Sequence, residues 1–249
     1  MTNYEALCRR LMDAISLESA PVAVSFHQDP PASAPKADSP VPAGCKFWEI
    51  GSSGPVATDA SDHRFCSVGI HTHNMEGAPA SQASDLEETL AAMQGLEYVR
   101  PEEVAALPVI ESRPRFVQYA PLALATVPPS VVLLFARAAQ SLVLTEAVAR
   151  VDGTIPLAMG RPACALIPQV MSSGRSASSL GCCGARAYLD LLDDNVALWG
   201  LPGEKLGQYV EAIETFSRAN AVLTRFHQQR RAEIEAGASP TVKESLARL

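Results

Sequence analysis

The sequence predicts an α+β fold, with mixed α/β as the near variant, in two pseudo-repeated lobes with a long C-terminal helix. Three observations predict it. Short apolar strands alternate with segments of helical period. A helix is predicted over about 204–235, its apolar stripe running from Leu206 to Phe216. Each half also opens on an apolar strand (21–26 and 130–135) and continues to a spaced pair of cysteines. Cys45 and Cys66 have 20 residues between them, Cys164 and Cys182 have 17. An ancient duplication with two lobes facing each other would bring these four thiols together.

Residues 3–17 place Tyr4, Leu7, Leu11 and Ile15 on one stripe of an amphipathic helix, with Cys8 beside it as a small buried apolar residue. Residues 21–26 follow as a buried strand. The Pro/Ala/Ser-rich stretch 28–42 reads as a surface loop, and 51–62 as another. Ser84-Asp85-Leu86-Glu87 is a capping box for a helix through about Met93. Pro101-Glu102-Glu103 puts proline and acids in the first turn of a second short helix. Residues 115–119 and 130–135 read as strands, the second apolar throughout and therefore central.

A helix over 139–148 is followed by a turn at Asp152-Gly153 and a short apolar run at 155–159. Asp193-Asp194-Asn195 is a polar turn. Leu201-Pro202-Gly203 precedes the longest helix, whose stripe is Leu206, Tyr209, Val210, Ile213 and Phe216. Its polar end, 228–235, is expected to project into water, and 236–249 to fray. The organisation is one globular domain over 1–235, or two lobes of about 1–125 and 126–235.

With 249 residues, 47 % hydrophobic and 19 % charged, the chain can bury a sizeable core. A formal net charge of −7 argues against a nucleic-acid partner, because phosphate binding rests on clustered Lys and Arg. The most apolar run, 120–136, is broken by Pro121, Pro128 and Pro129, so no membrane span is expected. The first residues lack the basic start and apolar run of a secretory signal, which points to the cytoplasm. In that reducing setting six cysteines favour metal or redox roles over disulfides.

Gly160 to Tyr188 carries the strongest chemical signal. Cys164 and the Cys182-Cys183 pair stand at the two ends of an expected helix and its following loop, with Gly181 and Gly184 on either side of the pair. Iron–sulfur clusters are held by four thiolates, and the ligands can come from distant segments. Structural zinc sites usually show close C-x-x-C pairs, which this chain lacks. Reactive-thiol chemistry at Cys182 and Cys183 and plain packing remain alternatives. A mixed N/S site for haem, copper or zinc would draw on His63, His71 and His73, the last two sharing a face if their run is a strand.

Arg161 and Arg186 flank the thiols and are candidates to meet a cofactor or another anion, with Pro162 suited to a first helical position. Phe47, Trp48 and Phe65 beside the thiols either shield a cofactor or pack the core. Gly174 with Ser172, Ser173, Ser176, Ser178 and Ser179 is the only run resembling a phosphate cradle, and it carries no Walker pattern.

At these residues the chain resembles the family known as domain of unknown function 169 (DUF169) over nearly its whole length. The resemblance rests on Pro21-Val-Ala-Val, Cys45, Cys66 and 128–135. It is most specific at Gly160-Arg-Pro-Ala-Cys164, Ser179-Leu-Gly-Cys182-x-Gly-x-Arg186, Ala219-Asn220 and His227-x-x-Arg230. It implies a fold and a shared site at Cys45, Cys66, Cys164 and Cys182 more than an activity. Cys183 stands where the family pattern has a neutral residue, which leaves open which member of the pair is the ligand.

The expectation is therefore a metalloprotein holding an iron–sulfur cluster, most simply [4Fe-4S], between the lobes. It would serve electron transfer or cluster-assisted catalysis, with a small molecule or a redox protein as partner. A homodimer is admissible, and substrate and reaction type are not legible.

Overall fold

The computed structural model describes residues 2–39 and 41–248. The chain is mixed α/β around one seven-stranded sheet. It begins with α1 (Tyr4–Ile15), β1 (Val22–His27), α2 (Lys46–Ser53), β2 (Val56–Asp59) and α3 (Ser67–Thr72). Then come α4 (Gln82–Gly95), α5 (Pro101–Ala105) and β3 (Phe116–Pro121). The second half runs through β4 (Val131–Arg137), α6 (Ala138–Asp152), β5 (Leu157–Met159), α7 (Leu166–Ser173), β6 (Ala177–Ser179), α8 (Cys183–Tyr188) and β7 (Val196–Pro202). It closes with α9 (Leu206–Glu235) and α10 (Val242–Leu246).

The strand order is β2-β3-β1-β4-β7-β6-β5, every neighbouring pair antiparallel except β5 and β6. Outward from the β1–β4 seam it reads β1-β3-β2 on one side and β4-β7-β6 on the other. Each half is thus strand, helix, strand, helix, strand in the same spatial order, and the halves share one continuous sheet. Small contacts repeat too. The amide of Leu122, just past β3, donates to Pro21 O at 2.7 Å, and that of Gly203, just past β7, donates to Ser130 O at 3.2 Å. The first half adds α4 and α5; the second adds α6 and β5.

Alternation along the strands divides the core in two. Val22, Val24, Val131, Leu133, Phe135 and Leu198 face α2, α3, α7 and α8. Ala23, Val132, Leu134, Ala136, Trp199 and Leu201 face α1, α6 and α9. A strand covered on both faces has no polar side to show, which is why β4 is apolar throughout. The first turns of α9 bury Leu206, Tyr209, Val210 and Ile213, the i, i+3, i+4, i+7 stripe of a helix lying on a sheet. Asp152 ties this layer together, accepting from Tyr209 Oη at 2.6 Å and from Ser176 N and Oγ at 2.9 and 2.6 Å.

Several expectations are corrected. Residues 51–62, expected as one loop, hold the end of α2 and all of β2, with short connections at 54–55 and 60–62. The 28–42 stretch is tied down: Ala37 N donates to Ala57 O and Ala57 N to Pro35 O, so it covers the outer edge of β2. Pro40 within that stretch lies outside the described residues. The helix at Ser84 starts earlier, at Gln82, because Ser84 Oγ turns back to Ser81 O instead of capping. The tail expected to fray contains α10, begun by a Thr241–Glu244 capping box, and Arg230 at the end of α9 bonds Pro240 O and Ser245 Oγ; Leu249 lies outside the described residues. No helix among the described residues is long and apolar enough to cross a membrane.

The repeated turn after β7 offers a direct check. A Cβ at Gly203 would stand 1.9 Å from Pro129 O, whereas one at Gly207 in α9 meets nothing within 4 Å. Gly203→Ala is expected to lower stability by about 1–3 kcal/mol or more. Gly207→Ala is expected to raise it by up to about 1 kcal/mol. Thermal unfolding of the two variants measures both.

Candidate functional site

The two halves place their cysteines in matching positions. Cys45 immediately precedes α2 and Cys66 immediately precedes α3. Cys164 lies in the 3-10 turn Ala163–Ala165 that leads into α7, and Cys182 is the residue before α8. All four sit on the same side of the sheet and line a single cavity of about 530 Å³, with Cys183 at its edge. Cys45 and Cys164 are buried, Cys66 and Cys182 half-buried and Cys183 exposed. The six cysteines are all free thiols. As the side chains stand, no three or more His, Cys, Asp and Glu residues among those described form a set that would hold a metal ion.

Close backbone packing makes room for these sulfurs. A Cβ at Gly69 would lie 2.9 Å from Cys66 Sγ, so any other residue there would force the thiol to shift. Gly181, before Cys182, adopts φ +82, which sets the turn into α8. Thr72 Oγ1 lies 3.4 Å from Cys164 Sγ, and the Ala185 amide donates to Cys182 Sγ at 3.5 Å.

Burial, and then the neighbouring thiols Cys66 and Cys182, push the Cys45 thiol up to about 12. Burial raises Cys66, offset in part by backbone hydrogen bonds from Gly44 and Gly69. Burial raises Cys164 well above an ordinary thiol, with Cys66, Cys45 and Cys182 adding to it against the Thr72 hydrogen bond. These three thiols are therefore neutral at physiological pH unless a cation takes the place of their protons. The fully buried Tyr119 hydroxyl has no hydrogen-bond partner among the described residues. Its phenol is raised by burial first and then by Cys45, Cys66 and Cys164, and Tyr119 is not among the residues lining the cavity.

The other sequence candidates are used elsewhere. His63 is fully buried, pairs with Thr58 Oγ1 at 2.9 Å and packs on Phe47 at 4.9 Å between ring centroids. His73 pairs through Nδ1 with Gly69 O at 2.8 Å. The His71-Thr72-His73 run is the end of α3 and its cap, not a strand, so the two histidines do not share a face. None of the three histidines lines the cavity. Phe47 and Trp48 are core residues, whereas Phe65 is exposed at the cavity wall.

Arg161 also lines the cavity, with its guanidinium 4.1 Å from the Tyr98 ring, bonded to Tyr98 O and 3.6 Å from Glu103. Pro162 is extended and precedes the 3-10 turn instead of starting a helix. Arg186 is not brought to the cavity; it donates to the carbonyls of Leu180, Leu192, Asp193 and Val196 and closes the turn between α8 and β7. The serine run is likewise not a phosphate cradle: Ser176 bonds Asp152, and Ser178 and Ser179 belong to β6.

Sequence reasoning missed Thr72, which was overshadowed by the histidines on either side. It also missed the outer wall, where α4, α5 and Tyr98 stand over the thiols.

The two buried histidines predict an acid response. Burial holds His63 at about 3 and His73 at about 4, against 6.5 when exposed. The unfolded chain then binds the extra protons, so their contribution is present above pH 6.5 and is lost as pH falls towards these values. Urea unfolding at pH 7 and pH 5 is expected to show a loss of roughly 2 kcal/mol per histidine. A flat profile over that interval would contradict it.

The profile of the DUF169 family, described as uncharacterised ArCR, matches residues 10–212, a span that includes all four cavity thiols. No curated protein and no solved structure matches the chain. With most of its length covered by that profile, the chain belongs to the DUF169 family.

Proposed function

We propose that the protein binds an iron–sulfur cluster, most simply [4Fe-4S], through the thiolates of Cys45, Cys66, Cys164 and Cys182. One observation carries the reading: four thiols, in equivalent pairs from the two halves, line one cavity. The cavity wall carries sulfur donors and no histidine, which suits iron–sulfur, zinc or Cu(I) chemistry over haem or Cu(II). A metal that binds these buried thiols displaces their protons to solvent and supplies the charge that lets the thiolates stay buried. Such a cluster supplies electron transfer or Lewis-acid activation of a small molecule.

A second reading rests on Cys183, which is exposed at the cavity edge beside half-buried Cys182. That pair would support thiol-redox chemistry without metal, and would show as rapid alkylation of Cys183 with loss of activity in Cys183→Ser.

The test is anaerobic purification, a visible absorption spectrum and analysis for iron, sulfide, zinc and copper. The expected result is a broad brown band with matched iron and acid-labile sulfide, lost in Cys45→Ser and in Cys182→Ser and kept in Cys183→Ser. A colourless, metal-free protein with freely titrating thiols would sink the cluster and leave the thiol-redox reading.

A further inference from the structure

The cavity is larger than a cluster on its four thiols requires, and its outer half has a different character. Helices α4 and α5 have no buried residue, yet Leu90, Met93, Val104 and Leu107 from this segment turn inward and line the cavity opposite the cysteines. The segment has no counterpart in the second half, where only residues 189–195 join α8 to β7. An apolar helical face held over open space is costly in water and cheap once a ligand fills the gap. The volume of about 530 Å³ falls within the ~300–1,000 Å³ of small-molecule sites.

The polar end of this chamber is defined. Arg161 is the only cationic side chain, and Glu103 the only carboxylate, among the described residues that line it. Tyr98 fixes the guanidinium by both its ring, at 4.1 Å, and its carbonyl. Glu103 meets it only at 3.6 Å, with side chains 37 % and 42 % exposed, a contact of the weak, solvent-screened kind. A ligand acid group would form a closer, charge-assisted pair with the same guanidinium.

We infer that the chamber under α4 and α5 binds a small organic acid with an apolar body: the acid group pairs with Arg161 in place of Glu103, and the body lies between the helical roof and the cysteine floor. The inference rests on the cluster reading only for what the floor carries. The chamber itself is defined by its own residues.

The experiment uses two fluorescent probes of similar shape, anionic anilinonaphthalenesulfonate and uncharged N-phenylnaphthylamine, on the anaerobically purified full chain. Saturable binding of about one anionic probe per chain is expected. Arg161→Gln should weaken the anionic probe about tenfold, the effect of one charge-assisted pair, and leave the neutral probe unchanged. Leu107→Glu, and independently Leu90→Glu, should weaken both probes. Non-saturable binding, or binding indifferent to all three substitutions, would overturn the chamber. Iron measured on the same samples keeps the two readings apart: probe binding that persists without iron leaves the chamber and removes the cluster, and iron without probe binding does the reverse.

Discussion

A thiolate carries its charge on a side chain that this fold takes out of water. Burial alone moves Cys45, Cys66 and Cys164 towards the neutral form, and each neighbouring thiol pushes in the same direction. Among the described residues no lysine lines the cavity, and its one arginine is held by Tyr98 at the wall. Those three cysteines are consistent as neutral thiols, or as thiolates held by a multivalent cation. A buried thiolate without such a cation costs several kcal/mol. That constraint gives the surrounding structure its purpose.

The sheet meets the constraint through its repeated order. Because β1 and β4 run antiparallel at the seam, the two halves present equivalent helices to the same face, and each helix arrives with a cysteine at or near its first residue. Neither half has more than two of the thiols, so the site exists only when the seam is formed. The opposite face, closed by α1, α6 and α9, carries no such chemistry and buries a continuous apolar layer. The same division explains the odd character of α4 and α5, the addition that roofs the thiols while burying nothing of its own.

Much of this was legible in the sequence where periodicity was strong. β4 is apolar throughout, α1 and α9 carry clean stripes, and the cysteine spacing pointed to two halves before any strand order was known. What escaped was short or polar. β2 spans only Val56–Asp59 and β6 only Ala177–Ser179, and both depend on pairing with longer strands that sequence windows do not see. β7 is masked by its Gly200 and Pro202. Arg186 matched a motif and looked like an anion ligand, yet four backbone carbonyls claim its guanidinium. His63 and His73 looked like donors because histidines in a row draw attention. Their surroundings, Phe47 and Thr58 for one and Gly69 for the other, are set by tertiary packing.

If one chain gathers four thiolates from its two halves around one cluster, native mass spectrometry of the anaerobically purified protein will find a single chain heavier than its polypeptide by four irons and four sulfides. A chain of bare polypeptide mass, a chain carrying one zinc, or a cluster found only between two chains would contradict it.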